Sequence, residues 1–138
     1  MTTPTTENIT ALDDSLVEMF TKAVAGRAEV VTDDAVLTDR GHDFWGFGAT
    51  PGLLLRPHST GEIAEIMRVA TEHRVAVVPR GGASNCSAGM MPTTDRVLLD
   101  LSGLNRIIEV DVDNRRARVE PGVINSDLQA ALAPHGLC

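Results

Sequence analysis

The 138-residue sequence predicts an α+β fold on three observations. A β-α-β unit is legible between residues 53 and 78, three strand signals follow with no helix between them, and a last helix closes the order. The second strand of the unit is a continuous apolar run, as expected in a sheet covered on both faces. The length suits one modest domain with a real core. With one Trp, three Phe and no Tyr, that core has to be mostly aliphatic.

Residues 1–13 are polar and rich in threonine, and are expected to be disordered. Ser15-Leu16-Val17-Glu18 has capping-box spacing and predicts a short helix ending at Gly26. Residues 27–50 read as a loop-rich acidic connector, in which Phe44, Trp45 and Phe47 are expected to pack the connector onto the body of the protein. Leu53-Leu54-Leu55 is a short buried strand closed by Arg56-Pro57. Ser59-Thr60-Gly61-Glu62 is a second capping box, after which Ile63, Ile66, Met67, Ala70 and His73 recur at helical spacing. Val75-Ala76-Val77-Val78 is the second strand of the unit. Further on, Arg96-Val97-Leu98-Leu99-Asp100-Leu101 is another strand. Residues 106–111 and 116–120 flank the turn signal Val112-Asp113-Asn114-Arg115 and read as a β-hairpin. Pro121-Gly122-Val123 ends it, and Asn125 or Ser126 is expected to cap a helix carrying Leu128, Ala131 and Leu132. The chain divides into an N-terminal helix and acidic connector (1–49) and a regular α+β part (50–138).

The segment Pro79-Arg80-Gly81-Gly82-Ala83-Ser84-Asn85-Cys86-Ser87 carries the chemistry. Small residues placed directly after a strand let the backbone turn sharply and approach a ligand closely. Successive N–H groups can then point into one concavity that suits a phosphate or pyrophosphate. The carboxyl end of a strand in a β-α-β unit is where open α/β sheets place ligands. The Rossmann fingerprint is excluded because Gly81-Gly82-Ala83 has the wrong spacing and a turn-rich segment follows. A Walker A loop is excluded because the only lysine is Lys22. The plain alternative is a glycine-rich turn with no ligand. Arg80 reads equally as a phosphate partner or as a structural arginine bridging the loop to its sheet.

The formal net charge of −7 argues against nucleic acid or an anionic membrane surface as partner. The first 50 residues carry nine acids against three bases, and the rest ten against nine. An anion at the glycine loop must therefore be held by local amides and single arginines. Cys86 and Cys138 are too few for a disulfide framework or a metal site, and His42, His58, His73 and His135 are scattered, so no metal is expected. No apolar run is long enough to span a bilayer and the start is no signal peptide, so a cytoplasmic location is expected.

Five motifs, in order, resemble the amino-terminal flavin-binding region of FAD-linked oxidases. They are Arg56-Pro57-His58-Ser59-Thr60-Gly61-Glu62-Ile63, Val78-Pro79-Arg80-Gly81-Gly82, residues 98–107 from Leu98-Leu99-Asp100-Leu101 to Asn105-Arg106-Ile107, Val119-Glu120-Pro121-Gly122-Val123, and residues 128–136 ending in Pro134-His135-Gly136. This is the superfamily of vanillyl-alcohol oxidase and p-cresol methylhydroxylase, and the nearest likeness is to subunits of the glycolate oxidase and D-lactate dehydrogenase type. The resemblance implies a p-cresol methylhydroxylase-type FAD-binding domain, with the first of its two α+β subdomains present and the second truncated.

It further implies FAD as cofactor and a flavin-dependent oxidase or dehydrogenase that oxidises a 2-hydroxy acid or related alcohol by hydride transfer to flavin. An electron-acceptor protein or a second copy of the chain is the candidate partner. The residues implied at the cofactor are Pro79, Arg80, Gly81, Gly82, Ala83, Ser84, Asn85 and Ser87 around the pyrophosphate, with Pro121 and Gly122 along the adenine half. Many relatives attach the flavin through a histidine where this chain has Ser84, so non-covalent FAD is expected; Cys86, the one nucleophile in the loop, reads as a buried filler. Catalytic residues are expected beyond the sequence, and none is assigned here. The stub at Gly136-Leu137-Cys138 reads as a chain cut short inside a larger fold. Such a piece is expected to be inactive alone, to bind FAD weakly and to expose an apolar edge at Val97, Leu99 and Leu132. The rival from another class is a catalytically silent module that binds a nucleotide or a partner protein.

Overall fold

The computed structural model describes residues 12–84 and 89–137. Its helices are α1 (Asp14–Val24), α2 (Asp34–Arg40), α3 (Thr60–Glu72) and α4 (Asn125–Leu132). Its strands are β1 (Glu29–Val31), β2 (Leu53–Arg56), β3 (Ala76–Arg80), β4 (Arg96–Asp100), β5 (Ile107–Asp111) and β6 (Arg116–Val119). Four strands form one sheet in the order β1-β2-β4-β3. The three inner-to-edge strands β2, β4 and β3 run parallel, and β1 adds to β2 antiparallel. The hairpin β5–β6 stands apart as a second sheet, with a register shift between Ile107 and Glu109.

Strand alternation divides the core in two. Leu53, Leu55, Val97 and Leu99 point to one face, where Leu16, Phe20 and Val24 of α1 and Ile66, Val69 and Ala70 of α3 cover them. Leu54, Leu98 and Val78 point to the other, against Leu37 of α2 and Met90. All three leucines of β2 are therefore buried, which an apolar run in a doubly covered sheet requires. The same burial corrects one expectation: Val97 and Leu99 are core residues of an inner strand and expose no apolar edge.

The second capping box forms as read. Ser59 Oγ accepts from Glu62 N at 3.3 Å, while the Glu62 carboxylate accepts the Ser59 hydroxyl and the His58 N–H, each at 2.9 Å. Those donors, the His58 amide foremost, outweigh burial and hold Glu62 below the usual glutamate range. The first helix is capped two residues earlier than expected: Asp13, not Ser15, accepts from Leu16 N, at 2.8 Å. An aspartate carboxylate at that position outcompetes the serine that follows it inside the helix. Neither Asn125 nor Ser126 caps α4; Ile124 is its boundary residue and gives no side-chain bond.

The stretch read as a loop-rich connector holds β1 and α2. A three-residue strand shows no alternation, and a seven-residue helix carries one buried apolar residue, Leu37, so neither leaves a periodic trace. The aromatic residues of this stretch are not packing anchors. Phe44, Trp45 and Phe47 are 69%, 61% and 59% exposed. Their turn is held by polar bonds: Asp43 Oδ1 accepts from Trp45 N and Phe47 N, both at 2.9 Å, beneath a His42–Gly48 bridge. β3 extends two residues further than expected, through Pro79 and Arg80. Proline is tolerated there because β3 is an edge strand, where a missing N–H breaks no ladder. Among the described residues no helix is long and apolar enough to cross a membrane.

Candidate functional site

Four charged residues line up at one end of the sheet. Register pairs Glu29 with Arg56 and Arg80 with Asp100, and the Leu55–Leu99 pairing sets Arg56 beside Asp100. Since side chains alternate along a strand, all four lie on the face of Leu54, Leu98 and Val78. Across β1, β2, β4 and β3 the row reads acid, base, acid, base. It sits at the carboxyl ends of the three parallel strands, directly under the glycine loop that leaves β3.

Asp100 is fully buried. Its Oδ2 receives Arg56 Nε at 3.1 Å and Nη2 at 2.9 Å, and its Oδ1 receives Ser102 N at 3.0 Å. Burial pushes this carboxyl up, but the Ser102 donors and the Arg56 guanidinium outweigh it and hold the group below the usual aspartate range. Arg56, 19% exposed, also pairs with Glu29. Burial works against its charge, and the two acids more than compensate, so its pKa rises.

Arg80 is the unmatched member of the row. Among the described residues its buried Nε has no hydrogen-bond partner. Burial pulls its pKa down, with Asp100 opposing only in part, although a guanidinium remains a cation at any working pH. The reading of Arg80 as a bridge from loop to sheet thus finds no bond at Nε, and the strand-bridging task is carried by Arg56. A buried donor without an acceptor is costly, and in a loop of bare backbone it marks where an acceptor would be received.

The loop is lined by Pro79, Arg80, Gly81, Gly82, Ala83 and Ser84 with Met90 behind, around a cavity of about 210 Å³. Its glycines serve by their lack of volume. A methyl on Gly81 would lie 3.1 Å from the Pro121 carbonyl oxygen, and one on Gly82 the same distance from Ile124 Cδ1. Among the described residues of the loop, Ala83, at φ +54°, takes the left-handed conformation, and no glycine does. This is uncommon for a residue with a side chain and clusters at ligand-binding turns. Gly122 is held more tightly still: its N–H donates to Leu104 O at 2.8 Å, and a methyl there would overlap the Leu101 carbonyl oxygen. The fold therefore brings the two predicted cofactor segments together, Gly81 against Pro121. Asn85, Cys86 and Ser87 lie outside the described residues. Asp100 and Arg56 were not singled out from sequence as site residues, although charged residues ending two buried apolar strands are the signal that could have found them.

A larger concavity, about 290 Å³, lies on the hairpin among Glu109, Asp111, Arg116 and Arg118. Its charges are already paired across the strands, Arg116 with Asp111 and Arg118 with Glu109, each at 3.4 Å, so it offers an anion less than Arg80 does. Among the described residues no group of three or more His, Cys, Asp or Glu is placed to hold a metal ion.

Residues 51–138 match the FAD binding domain family. The chain is 37% identical over 91 residues to the glycolate oxidase subunit GlcD of Bacillus subtilis, covering 66% of this chain and 19% of that protein. It is 30% identical over 126 residues to the D-2-hydroxyglutarate dehydrogenase of Stutzerimonas stutzeri, covering 91% and 27% respectively. The fold is similar to that of p-cresol methylhydroxylase solved with substrate bound: TM-score 0.67, 18% identity, 89% of this chain and 25% of that one. The expected fold class is thus met. The chain spans 19% to 27% of the length of these curated relatives.

Replacing Asp100 by Asn should cost about 3 kcal/mol of stability at neutral pH, since it strips the charge from a buried pair. The folded-state pKa is lowered, so the carboxylate's contribution is fully present above the ordinary aspartate value of 3.8 and fades as pH falls through the lower folded value. Thermal unfolding across pH should therefore show wild-type and variant curves well apart at pH 7 and converging in acid. Parallel curves down to the acid limb would show that this charge does not stabilise the fold.

Proposed function

Because the chain belongs to the FAD binding domain family, we infer that residues 80–84, with Pro121 and Gly122 beside them, hold the FAD pyrophosphate in a flavin-dependent oxidoreductase acting on a 2-hydroxy acid. The observation that carries the reading is the buried, unpartnered Nε of Arg80 at the mouth of a loop whose glycines leave the backbone bare. The donor set fits the group: one desolvated cation, backbone N–H groups and the Ser84 hydroxyl, with no acid in the loop. When bound, FAD supplies a two-electron acceptor.

The chain's own residues bind and position. Arg80 donates to phosphate oxygen and Gly81 and Gly82 allow close backbone approach. Pro79 stiffens the strand end, Ala83 sets the turn, and Gly122 packs its segment against residues 101–104. Asn85 and Ser87 complete the set of proposed contacts. None of these residues is assigned to moving a proton or to the carbon to be oxidised. A module that binds only a partner protein gives no reason to leave Arg80 Nε buried and unbonded, whereas a phosphate-bearing ligand does; flavin absorbance of the full-length protein separates FAD from another nucleotide.

The substrate class rests on relatives whose names specify glycolate oxidase and D-2-hydroxyglutarate dehydrogenase. Anaerobic addition of glycolate, D-lactate and D-2-hydroxyglutarate to the purified full-length flavoprotein should bleach the flavin band with at least one of them. A flavin band indifferent to every 2-hydroxy acid would remove the substrate class and leave the cofactor assignment standing. An electron-acceptor protein or a second copy is the proposed partner, and the cytoplasm the proposed location.

With Ser84 where a tethering histidine stands in many relatives, the flavin is held without a covalent bond. Acid precipitation of the full-length protein should release its flavin into the supernatant, read by absorbance. Flavin pelleting with the polypeptide would point to a covalent link. Gly82→Val should raise the FAD dissociation constant at least tenfold, about 1.4 kcal/mol, because a branched side chain fills the space the phosphate needs. Ile124 Cδ1, the nearest atom, is the end of a flexible side chain and can yield, so the fold survives. Full flavin stoichiometry in that variant would sink the loop assignment.

A further inference from the structure

The charged row holds a choice that the sheet has already made. Asp100 stands between two arginines, Arg56 on β2 and Arg80 on β3, and both are its neighbours in register. Only one of them bonds it. Arg56 places two N–H groups on Oδ2, the Ser102 amide takes Oδ1, and Arg80 Nε is left with nothing. The other charges facing Arg80 are Asp39 and Arg40 at the end of α2. These two pair with each other at 3.4 Å and roughly cancel. Asp100 is therefore the acid that could capture Arg80, and Arg56 is what keeps it occupied.

We propose that Arg56 is a positioning residue for the cofactor: by saturating the Asp100 carboxylate, it prevents Arg80 from collapsing into an ion pair beneath the loop and leaves that guanidinium available to phosphate. This rests on the reading of Arg80 as a phosphate partner. Without Arg56, a fully buried carboxylate would lack its cation, a costly state, and Arg80 is the cation on the adjacent strand. A carboxylate bonded to Arg80 Nε would withdraw from the loop the donor that an incoming phosphate needs. Arg56 exerts this effect from two strands away, since β4 lies between β2 and β3.

The distinguishing property is suppression. Arg56→Gln frees Asp100 to take Arg80, and Asp100→Asn then removes the captor. A purely structural role would make the two changes add, whereas the proposal makes the second repair the first. FAD affinity would be measured by fluorescence titration of the full-length apoprotein, at one ionic strength, for wild type, Arg80→Gln, Arg56→Gln and Arg56→Gln/Asp100→Asn. We expect at least a tenfold rise in Kd for Arg80→Gln, at least fivefold for Arg56→Gln, and a return to within about twofold of wild type in the double variant. Should Arg56→Gln fail to fold, the double variant, which has no unpaired buried carboxylate, still decides: a Kd tenfold above wild type overturns the proposal. Wild-type affinity in Arg56→Gln alongside weakened Arg80→Gln overturns it while sparing the cofactor reading. Wild-type affinity in Arg80→Gln overturns both.

Discussion

A single buried carboxylate, Asp100, joins the sheet to the cradle that sits on it. Two N–H groups of Arg56 tie the end of β4 to the end of β2, and the Ser102 amide ties the same carboxylate to the 3₁₀ turn Leu101–Gly103. That turn, through Leu104 O, accepts the Gly122 N–H, and Leu101 O lies so close to Gly122 that no side chain fits between them. Pro121, one residue back, brings its carbonyl against Gly81. From Asp100 to the glycine loop there is an unbroken series of short contacts. The two predicted cofactor segments therefore share a support at the end of β4 in addition to their own contact, Gly81 against Pro121.

This arrangement explains why the loop leaves an edge strand. Among the described residues β3 pairs only with β4, so its far side owes nothing to the ladder and a proline is accommodated at its end. The inner strands carry the packing: Leu53, Leu54, Leu55, Val97, Leu98 and Leu99 are all buried between α1 and α3 on one face and α2 on the other. Placing the small residues at the edge keeps the proposed cofactor contacts apart from the core contacts of β2 and β4.

What could be read from the sequence was whatever repeats over a turn or a strand. The β-α-β unit, the box at Ser59 and Glu62, and the hairpin either side of Val112-Asp113-Asn114-Arg115 are local and periodic, and all stand as read. The motifs that carried the family resemblance lie largely in this same periodic part. β1 and α2 are too short for period to show. They exist because a sheet neighbour and an apolar face were waiting for them, Val30 beside Leu55 and Leu37 beside Leu54. The aromatic turn failed for a different reason: apolar character predicted packing, but Asp43 builds the turn with hydrogen bonds and leaves Phe44, Trp45 and Phe47 in solvent. The candidate site was legible as a loop and illegible as a charge arrangement. Arg56 and Asp100 are 44 residues apart, and only strand order makes them neighbours.

The near-neutral balance of residues 51–138, ten acids against nine bases, leaves little long-range field to hold a dianionic group. Under the proposed function recognition has to come from position, and the two arginines of the row differ in kind. Arg56 carries a full set of acidic partners, a raised pKa and a structural task. Arg80 keeps a partly buried guanidinium, a lowered pKa and an Nε without a partner among the described residues. A cation that is partly buried and unbonded is an unfavourable state in isolation, and a phosphate oxygen relieves it at a place where water competes poorly. Under the proposed function, the stability given up at Arg80 would be recovered when an anion arrives. A domain with almost no net charge in its binding half can in this way be selective for one.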